Sequence, residues 1–282
     1  MTPWLRPRPG RTYLAGAPML VAHRGGSRLA PENTLVAFRQ ARERWRADML
    51  EMDVRLTRDG HVVVIHDPSV DRTTEGSGLV ADLTLDEIQR LDAGYRFEAL
   101  DGGHPYRGRG VRVPTLEEVL VTFTDVWINV ECKEPQVAGP LADVVAQHRA
   151  EDRVLIAAES EKSRRGAAGY RGPWGASLPQ GLLFWILHRM PGGSPYTPAA
   201  DILQVPEVWK GLRVVTPRFV REAHRLNIAV QVWTVDDEDD MKRLLDWGVD
   251  GIQTDRPDLL ARLLTERAGR PAAPGMKEGA TA

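Results

Sequence analysis

Strand alternation in this sequence would bring three carboxylates together. In Leu50–Val54, the residues Leu50, Met52 and Val54 share one face and leave Glu51 and Asp53 on the other. In 126–133, Val126, Ile128, Val130 and Cys132 share a face, with Asn129, Glu131 and Lys133 opposite. Glu51, Asp53 and Glu131 offer only oxygen, with no second cysteine and no HxxxH pair, which suits Mg²⁺ or Ca²⁺ better than Zn²⁺. Held together without a cation, such carboxylates repel and their pKa values rise. A divalent ion relieves that repulsion and polarises a phosphoryl oxygen. Arg24 and Lys133 add phosphate donors, the first as a bidentate fork and the second as a point charge. His23 and His66 could divide the work of general base and general acid. Metal, two cations and two imidazoles describe phosphodiester cleavage better than glycoside hydrolysis, which needs only two carboxylates. The competing reading is that a barrel interior holds ion pairs such as Glu131 with Lys133. It would bury many acids and bases without chemistry.

These residues need elements to position them. Apolar strand-like runs begin near Leu20, Leu50, Val126, Val154, Gly175, Ile202, Ala229 and Gly251. Helical patterns occupy Leu35–Trp45, Leu116–Thr124, Val137–Arg149, Pro217–Leu226, Asp239–Trp247 and Leu259–Glu266. The segments after the fourth and fifth runs read less clearly. Eight β–α repeats over 19–265 predict a single α/β domain of the TIM (β/α)8 barrel type. A doubly wound open sheet is the alternative, but no GxGxxG turn follows the first run. With the apolar parity packed on outer helices, the acids named above, together with Gln231, Trp233, Gln253 and Asp255, point inward. Most lie late in their strands, where barrel active sites are built, and the first run ends in His23.

About 70 residues separate the second and third runs, far more than an ordinary βα connection. An insertion of about 68–112 is expected there, riding on the barrel, with a helix near Leu85–Leu91 and a Gly-rich loop at Gly102–Gly110. Before it, Asp59-Gly60 predicts a two-residue hairpin turn between Glu51–Arg58 and His61–Asp67. Residues whose numbers sum to 119 then oppose one another, which sets His66 beside Asp53. A slip of one residue would send His66 to the other face. Pro31-Glu32-Asn33-Thr34 reads as a helix N-terminus, with Asn33 or Thr34 as cap and Glu32 favoured by the helix dipole. No chemical role follows for Glu32.

Composition narrows the class. With 37 basic and 39 acidic residues the net charge is −2, so there is no electrostatic footprint for nucleic acid. A chain that is 42% hydrophobic and 27% charged is neither collagen-like, disulfide-framed nor wholly disordered. The single cysteine, Cys132, suits a reducing compartment. The stretch Met1–Pro18 has no apolar core of signal-peptide length and no run reaches membrane-span length, so a cytoplasmic protein is expected. Residues 1–18 and 266–282 read as loosely ordered termini.

Leu182–Leu187 is the most apolar stretch, six residues where a span takes roughly 20. A buried barrel helix is the plain reading, yet such a helix needs only one apolar stripe. Some of Phe184, Trp185 and Ile186 are therefore expected to line a path near the site mouth, able to hold an acyl chain or to touch a membrane transiently.

His23-Arg24-Gly25, Pro31–Thr34, Glu51–Val54, Thr57–Gly60 and His66-Asp67 together resemble the glycerophosphodiester phosphodiesterase family. Asn129–Lys133 looks like its NxExK strand, and Val232–Val235 with Gly248–Pro257 are similar to its closing segments. The resemblance runs from Leu20 to Leu260. It implies a TIM barrel with a small insertion after the second strand and one divalent cation on Glu51, Asp53 and Glu131. It further implies acid/base histidines at His23 and His66, cationic support from Arg24 and Lys133, and Trp233 lining the substrate pocket. The implied reaction hydrolyses a glycerophosphodiester to sn-glycerol 3-phosphate and an alcohol. A lysophospholipase D of the same family and a catalytically silent barrel that binds a phosphorylated ligand are the alternatives. The sequence departs from the family at Asp236, where Asn is common, and at Gln253, where an apolar residue is usual. The stretch 162–198 matches no sharp motif.

Overall fold

The apolar parity of the strands needs cover on its outward side, and helices supply it. A computed structural model describes Leu14 and residues 18–278. Its strands are β1 (Met19–Ala22), β2 (Met49–Leu56), β3 (Val62–Val64), β4 (Trp127–Cys132), β5 (Val154–Ala157), β6 (Ile202–Pro206), β7 (Val208–Trp209), β8 (Leu212–Arg213), β9 (Ala229–Trp233) and β10 (Gly251–Thr254). Its α-helices are α1 (Leu35–Arg39), α2 (Leu85–Gln89), α3 (Leu116–Thr122), α4 (Ala138–Gln147), α5 (Glu161–Gly166), α6 (Leu178–Leu187), α7 (Pro217–Arg225), α8 (Glu238–Asp246), α9 (Pro257–Ala268) and α10 (Pro274–Glu278). The two segments that read weakly in sequence are thus α5 and α6, and α1 continues as a wider turn through Arg44.

Seven strands pair in parallel in the order β5-β4-β2-β1-β10-β9-β6. Trp174 and Gly175 close the gap between β5 and β6 by bridging Ile156 and Ile202. The strand expected near Gly175 is therefore a two-residue stave, and the sheet curls into a TIM-like α/β barrel. Its glycine suits the tight space: a Cβ there would lie 2.9 Å from Gln204 Oε1 and 3.3 Å from the Cα of Ala157.

Leu50, Met52, Val54, Ile128, Val130, Cys132, Val230, Val232 and Ile252 are buried in the core between strands and helices. Met19, Val21, Met49, Leu155, Ile202 and Ala229 form a second cluster that fills the N-terminal end of the barrel interior. One step further along the strands, Gln204 Nε2 donates to the oxygen of the buried Gln231 amide at 3.0 Å. The carboxylates lie at and beyond this level, so the interior passes from apolar to amide to ionic toward the strands' C-terminal ends.

Register in the β2–β3 hairpin differs from the expectation by one residue. Val54 pairs with Val64, Arg55 with Val63 and Leu56 with Val62, so paired numbers sum to 118. The turn explains this. Gly60 N–H donates to Thr57 O and Thr57 N–H to His61 O, with Gly60 at φ 86°, so Arg58, Asp59 and Gly60 form a three-residue loop whose last residue is left-handed. Asp53 therefore does not oppose His66; its carbonyl accepts from Ile65 N–H instead. His66 lies beyond the end of β3, where alternation no longer dictates its direction.

Between β3 and α3, Val70, Val80, Ile88, Val111 and Val113 build a satellite core on Val63 and Ile65 of the hairpin, with Val36 of α1 packed against it. On α6, Ile186 is the member of the expected group that turns outward. Phe184 is fully buried against Phe219, at a ring distance of 5.1 Å, and Trp185 is half-buried. Leu182, Leu183 and Ile186 are the members of the run that face outward. Among the described residues no helix is long and apolar enough to cross a membrane.

Candidate active site

The turn after β1 places the first site residues. Arg24, Gly25 and Gly26 all have left-handed backbones, at φ 50°, 84° and 90°. At Gly25 a Cβ would sit 2.7 Å from Ala37 Cβ, so only glycine lets the turn rest on α1. This conformation aims Arg24 N–H at Glu51 Oε2, 2.8 Å away, and brings its Nε to 3.1 Å from Asp53 Oδ2.

Glu51, Asp53 and Glu131 have oxygen atoms within 4.8 Å of one another. Glu51 and Asp53 are almost completely buried, and Glu131 is partly open to solvent. Burial and the nearby Asp53 push the Glu51 carboxyl up to about 7, against the pull of His23 and the Arg24 N–H. Burial acts on Asp53 in the same direction, but Lys133, Arg24, His66 and Asn33 outweigh it and hold Asp53 below the usual carboxylate range. Lys133 Nζ lies 2.9 Å from both Asp53 Oδ1 and Glu131 Oε2. Burial works against the Lys133 charge, yet Asp53 and Glu131 raise its pKa. Asn129 is the register partner of Glu51, and its buried Oδ1 has no hydrogen-bond partner. A high-pKa carboxylate, two acids beside it and an orphaned amide oxygen form a set that fits a hard divalent cation and its water.

Both histidines are held by carboxylates. His23 Nδ1 is 2.7 Å from Asp255 Oδ1, and its Nε2 is 3.9 Å from Glu51 Oε2. Burial disfavours the imidazolium, but Glu51 and Asp255 overcome it and push the His23 pKa up to about 9. His66 Nδ1 is 2.6 Å from Asp67 Oδ1. A carboxylate on Nδ1 fixes the tautomer and leaves Nε2 to exchange protons. Despite the register shift, His66 comes close enough to Asp53 to lower its pKa.

Glu32 ties the two histidine segments together. Arg24 donates to its Oε1 at 3.1 Å, and Arg72 grips both its oxygens at 2.7 Å. Arg72 Nε also donates to Asp67 Oδ2 at 2.5 Å. A chain of charge-assisted bonds thus runs from Arg24 through Glu32, Arg72 and Asp67 to His66. Thr34 is the helix cap, accepting from Ala37 N–H at 3.2 Å. Asn33 turns instead to Asp53, donating to Oδ2 at 2.9 Å and accepting from its N–H at 3.3 Å.

Asp255, Asn33, Glu32, Asp67 and Arg72 are the site neighbours that the sequence reading did not select. Asp255 carried a signal, since its inward parity was legible beside Ile252. Asp236, the departure from the family pattern, accepts from Thr254 Oγ1 and from Asp255 N–H, both at 2.8 Å, and so fixes the segment bearing Asp255. Trp233 ends β9 at the rim, 41% exposed. A cavity of about 360 Å³ lies beside Lys133, lined also by Glu159, Ser160, Glu161 and Leu178. A larger one, of about 720 Å³, lies away from all these groups, between Trp45, Asp48, Leu264 and Arg270. Size does not mark the site here; the convergence of charge does.

The sequence model of the glycerophosphoryl diester phosphodiesterase family matches residues 23–163 and 186–259. A glycerophosphodiester phosphodiesterase of Caldanaerobacter subterraneus is 36% identical over 253 residues, covering 87% of this chain and 97% of that protein. Among solved structures, the glycerophosphoryl diester phosphodiesterase domain of a Mycobacterium tuberculosis protein superposes with a TM-score of 0.78 at 22% identity, covering 87% of this chain and 98% of that one. An Oleispira antarctica phosphodiesterase, solved with its product sn-glycerol-3-phosphate, superposes with a TM-score of 0.71 at 24% identity, covering 88% and 97%.

Proposed function

The chain belongs to the glycerophosphoryl diester phosphodiesterase family, and from that premise we propose that it hydrolyses glycerophosphodiesters to sn-glycerol 3-phosphate and an alcohol by metal-assisted acid/base catalysis. Residues 19–265 act as one catalytic unit in this reading. The observation that carries it is the cluster of Glu51, Asp53 and Glu131 within 4.8 Å, flanked by an imidazole that a carboxylate holds on Nδ1. Glu51, Asp53 and Glu131 hold one divalent cation, Mg²⁺ or Ca²⁺. When bound, it supplies Lewis-acid stabilisation of charge on the phosphoryl oxygens. Arg24 and Lys133 keep their protons, because neighbouring acids raise both pKa values over the opposing effect of burial, and they steady the phosphate. Of His23 and His66, one takes the proton of the attacking water and the other returns a proton to the leaving alkoxide. Trp233 borders the substrate at the rim. The product seen with the Oleispira antarctica neighbour is the one this reaction releases.

A second reading, lysophospholipase D activity, draws on the outward Leu182, Leu183 and Ile186 of α6. Product analysis with glycerophosphocholine, glycerophosphoethanolamine and lysophosphatidylcholine tests both, each with Mg²⁺, Ca²⁺ or chelator. Cation-dependent release of glycerol 3-phosphate is expected from the first two. Absence of turnover on all three with either cation would leave a phosphate-ligand-binding barrel.

A further inference from the structure

Nine of the thirteen exposed large hydrophobic side chains among the described residues fall between 178 and 233. Seven of these nine lie on two elements that leave the C-terminal rim of neighbouring staves. On α6, Leu178, Leu182 and Ile186 recur every four residues and form one stripe, 55%, 43% and 52% exposed. The opposite face of the same helix already packs Phe184 on Phe219. A helix apolar on both sides is more apolar than barrel packing requires. The stripe starts at the site, because Leu178 lines the cavity that also contains Lys133. The second element is the β7–β8 hairpin, where Val208, Trp209 and Leu212 are 47%, 44% and 53% exposed. It follows directly from β6, whose Pro206 pairs with Trp233, so the hairpin stands above the rim beside that tryptophan.

Charge on the hairpin and just beyond the end of α6 has one sign where it meets solvent. Arg189 lies over the Trp185 ring at 4.1 Å and Lys210 over Trp209 at 4.7 Å, which sets a cation against an aromatic at each. The acids of the same segment are withdrawn: Asp201 is 1% exposed, and Glu207 is held by Arg213 and Arg243. Glu159 and Glu161 line the cavity at the start of α6. Apolar groups interleaved with uncompensated cations complement an anionic lipid surface. The segment 164–185, which includes Leu178 and Leu182, also lies outside the stretches matched by the family.

We propose that the outer face of α6 and the β7–β8 hairpin form a docking surface for an anionic lipid bilayer, which holds the site mouth against the membrane. Its substrate arm rests on the phosphodiesterase reading, and the consequence is preference for a lysophospholipid taken from the bilayer over the same headgroup free in water. The test is co-sedimentation of the full chain with phosphatidylcholine vesicles, with and without phosphatidylglycerol, at low and high salt. It is paired with turnover of glycerophosphocholine in solution and of lysophosphatidylcholine presented in the vesicles. Binding is expected only with phosphatidylglycerol and should weaken with salt. Leu182→Ser/Ile186→Ser, and separately Trp209→Ser/Lys210→Ser, should each cut vesicle binding and vesicle-substrate turnover by about tenfold or more, with soluble turnover and melting temperature unchanged. Wild-type protein that ignores both vesicle types, or variants that bind as well as wild type, would overturn the proposal. So would a concentration-dependent dimer broken by the same substitutions, which would assign the surface to a second copy of the chain. Failure on soluble glycerophosphocholine with intact vesicle binding would strike the phosphodiesterase reading alone.

Discussion

His23 and Asp255 are 232 residues apart in the chain and joined by a 2.7 Å contact between Nδ1 and Oδ1. The contact crosses the seam where β1 pairs with β10, so closing the barrel and orienting the imidazole are one event. Asp236 holds the Asp255 N–H from the end of β9, so three segments at the rim agree on the direction of one ring.

That arrangement predicts a graded loss. His23→Ala and His66→Ala should each lower turnover by about 10²-fold or more, with smaller effects on substrate binding. Asp255→Asn should lower kcat while leaving cation affinity near wild type, because it touches the ring and not the acid cluster. Steady-state kinetics and calorimetric cation titration separate the two. Near-normal kcat in His66→Ala across the pH profile would remove His66 from proton transfer.

Arg72 tests whether the chain from Arg24 to His66 acts as a unit. It grips Glu32 and Asp67 but none of the carboxylates in the acid cluster. Arg72→Ala should lower kcat by roughly tenfold, as misplacement of a catalytic group does, with cation affinity unchanged. In a double-mutant cycle the loss should vanish once His66 is already alanine. An undiminished second loss would show that Arg72 works elsewhere.

Cys132 is expected to be chemically silent. It packs outward with Val130, and burial pushes its thiol up to about 11. Cys132→Ala should cost on the order of 1 kcal/mol of stability by leaving a small void, and should keep activity. Loss of turnover in a folded Cys132→Ala protein would contradict the division of strand faces.

Those faces were legible because the outward set is continuous. Leu50, Met52 and Val54 next to Ile128, Val130 and Cys132 leave one direction for the acids between them. The family motifs were legible for the same residues. What sequence hid is partnership. Asp59-Gly60 serves a two-residue or a three-residue loop equally well, and only the observed hydrogen bonds choose between them. Arg72 lies within the insertion, 40 residues from Glu32, and no periodicity connects the two. Nor does any local pattern tell that Asn33, a plausible cap, gives that role to Thr34 and turns to Asp53. On α6 a run apolar all round announced an outward face without telling which members would take it, and Phe184 went to the core.

If the acid cluster holds the proposed cation, cation binding and stability should depend on pH together. In cation-free protein the Glu51 carboxyl is raised to about 7 by burial and Asp53, so folding favours its protonated form. Its contribution therefore declines as pH climbs from the ordinary carboxylate range through about 7. His23, raised to about 9 by Glu51 and Asp255 despite burial, adds stability that is complete below the ordinary imidazole pKa and lost as pH rises through about 9. Asp53 is lowered, so its contribution is already present throughout this window and disappears only on further acidification. Both changing groups act in one direction, and the melting temperature in chelator should fall from pH 5 to pH 9 as these two shifts run out. In the proposed site a divalent cation would take the place of the Glu51 proton, so its affinity should rise with pH up to about 7, by at most about tenfold per pH unit for one proton released. Saturating Mg²⁺ or Ca²⁺ should then remove the lower part of the melting-temperature decline and shrink the part due to His23, because the cation also offsets the Glu51 charge and leaves Asp255 to hold the imidazolium. Calorimetric scans and cation titrations across this pH range check both halves, and His23→Asn should abolish the upper one and move the Glu51 step to higher pH, because His23 no longer favours the carboxylate. Cation affinity that stays flat between pH 5 and pH 7 would mean that the ion does not displace the Glu51 proton, and would take Glu51 out of the ligand set.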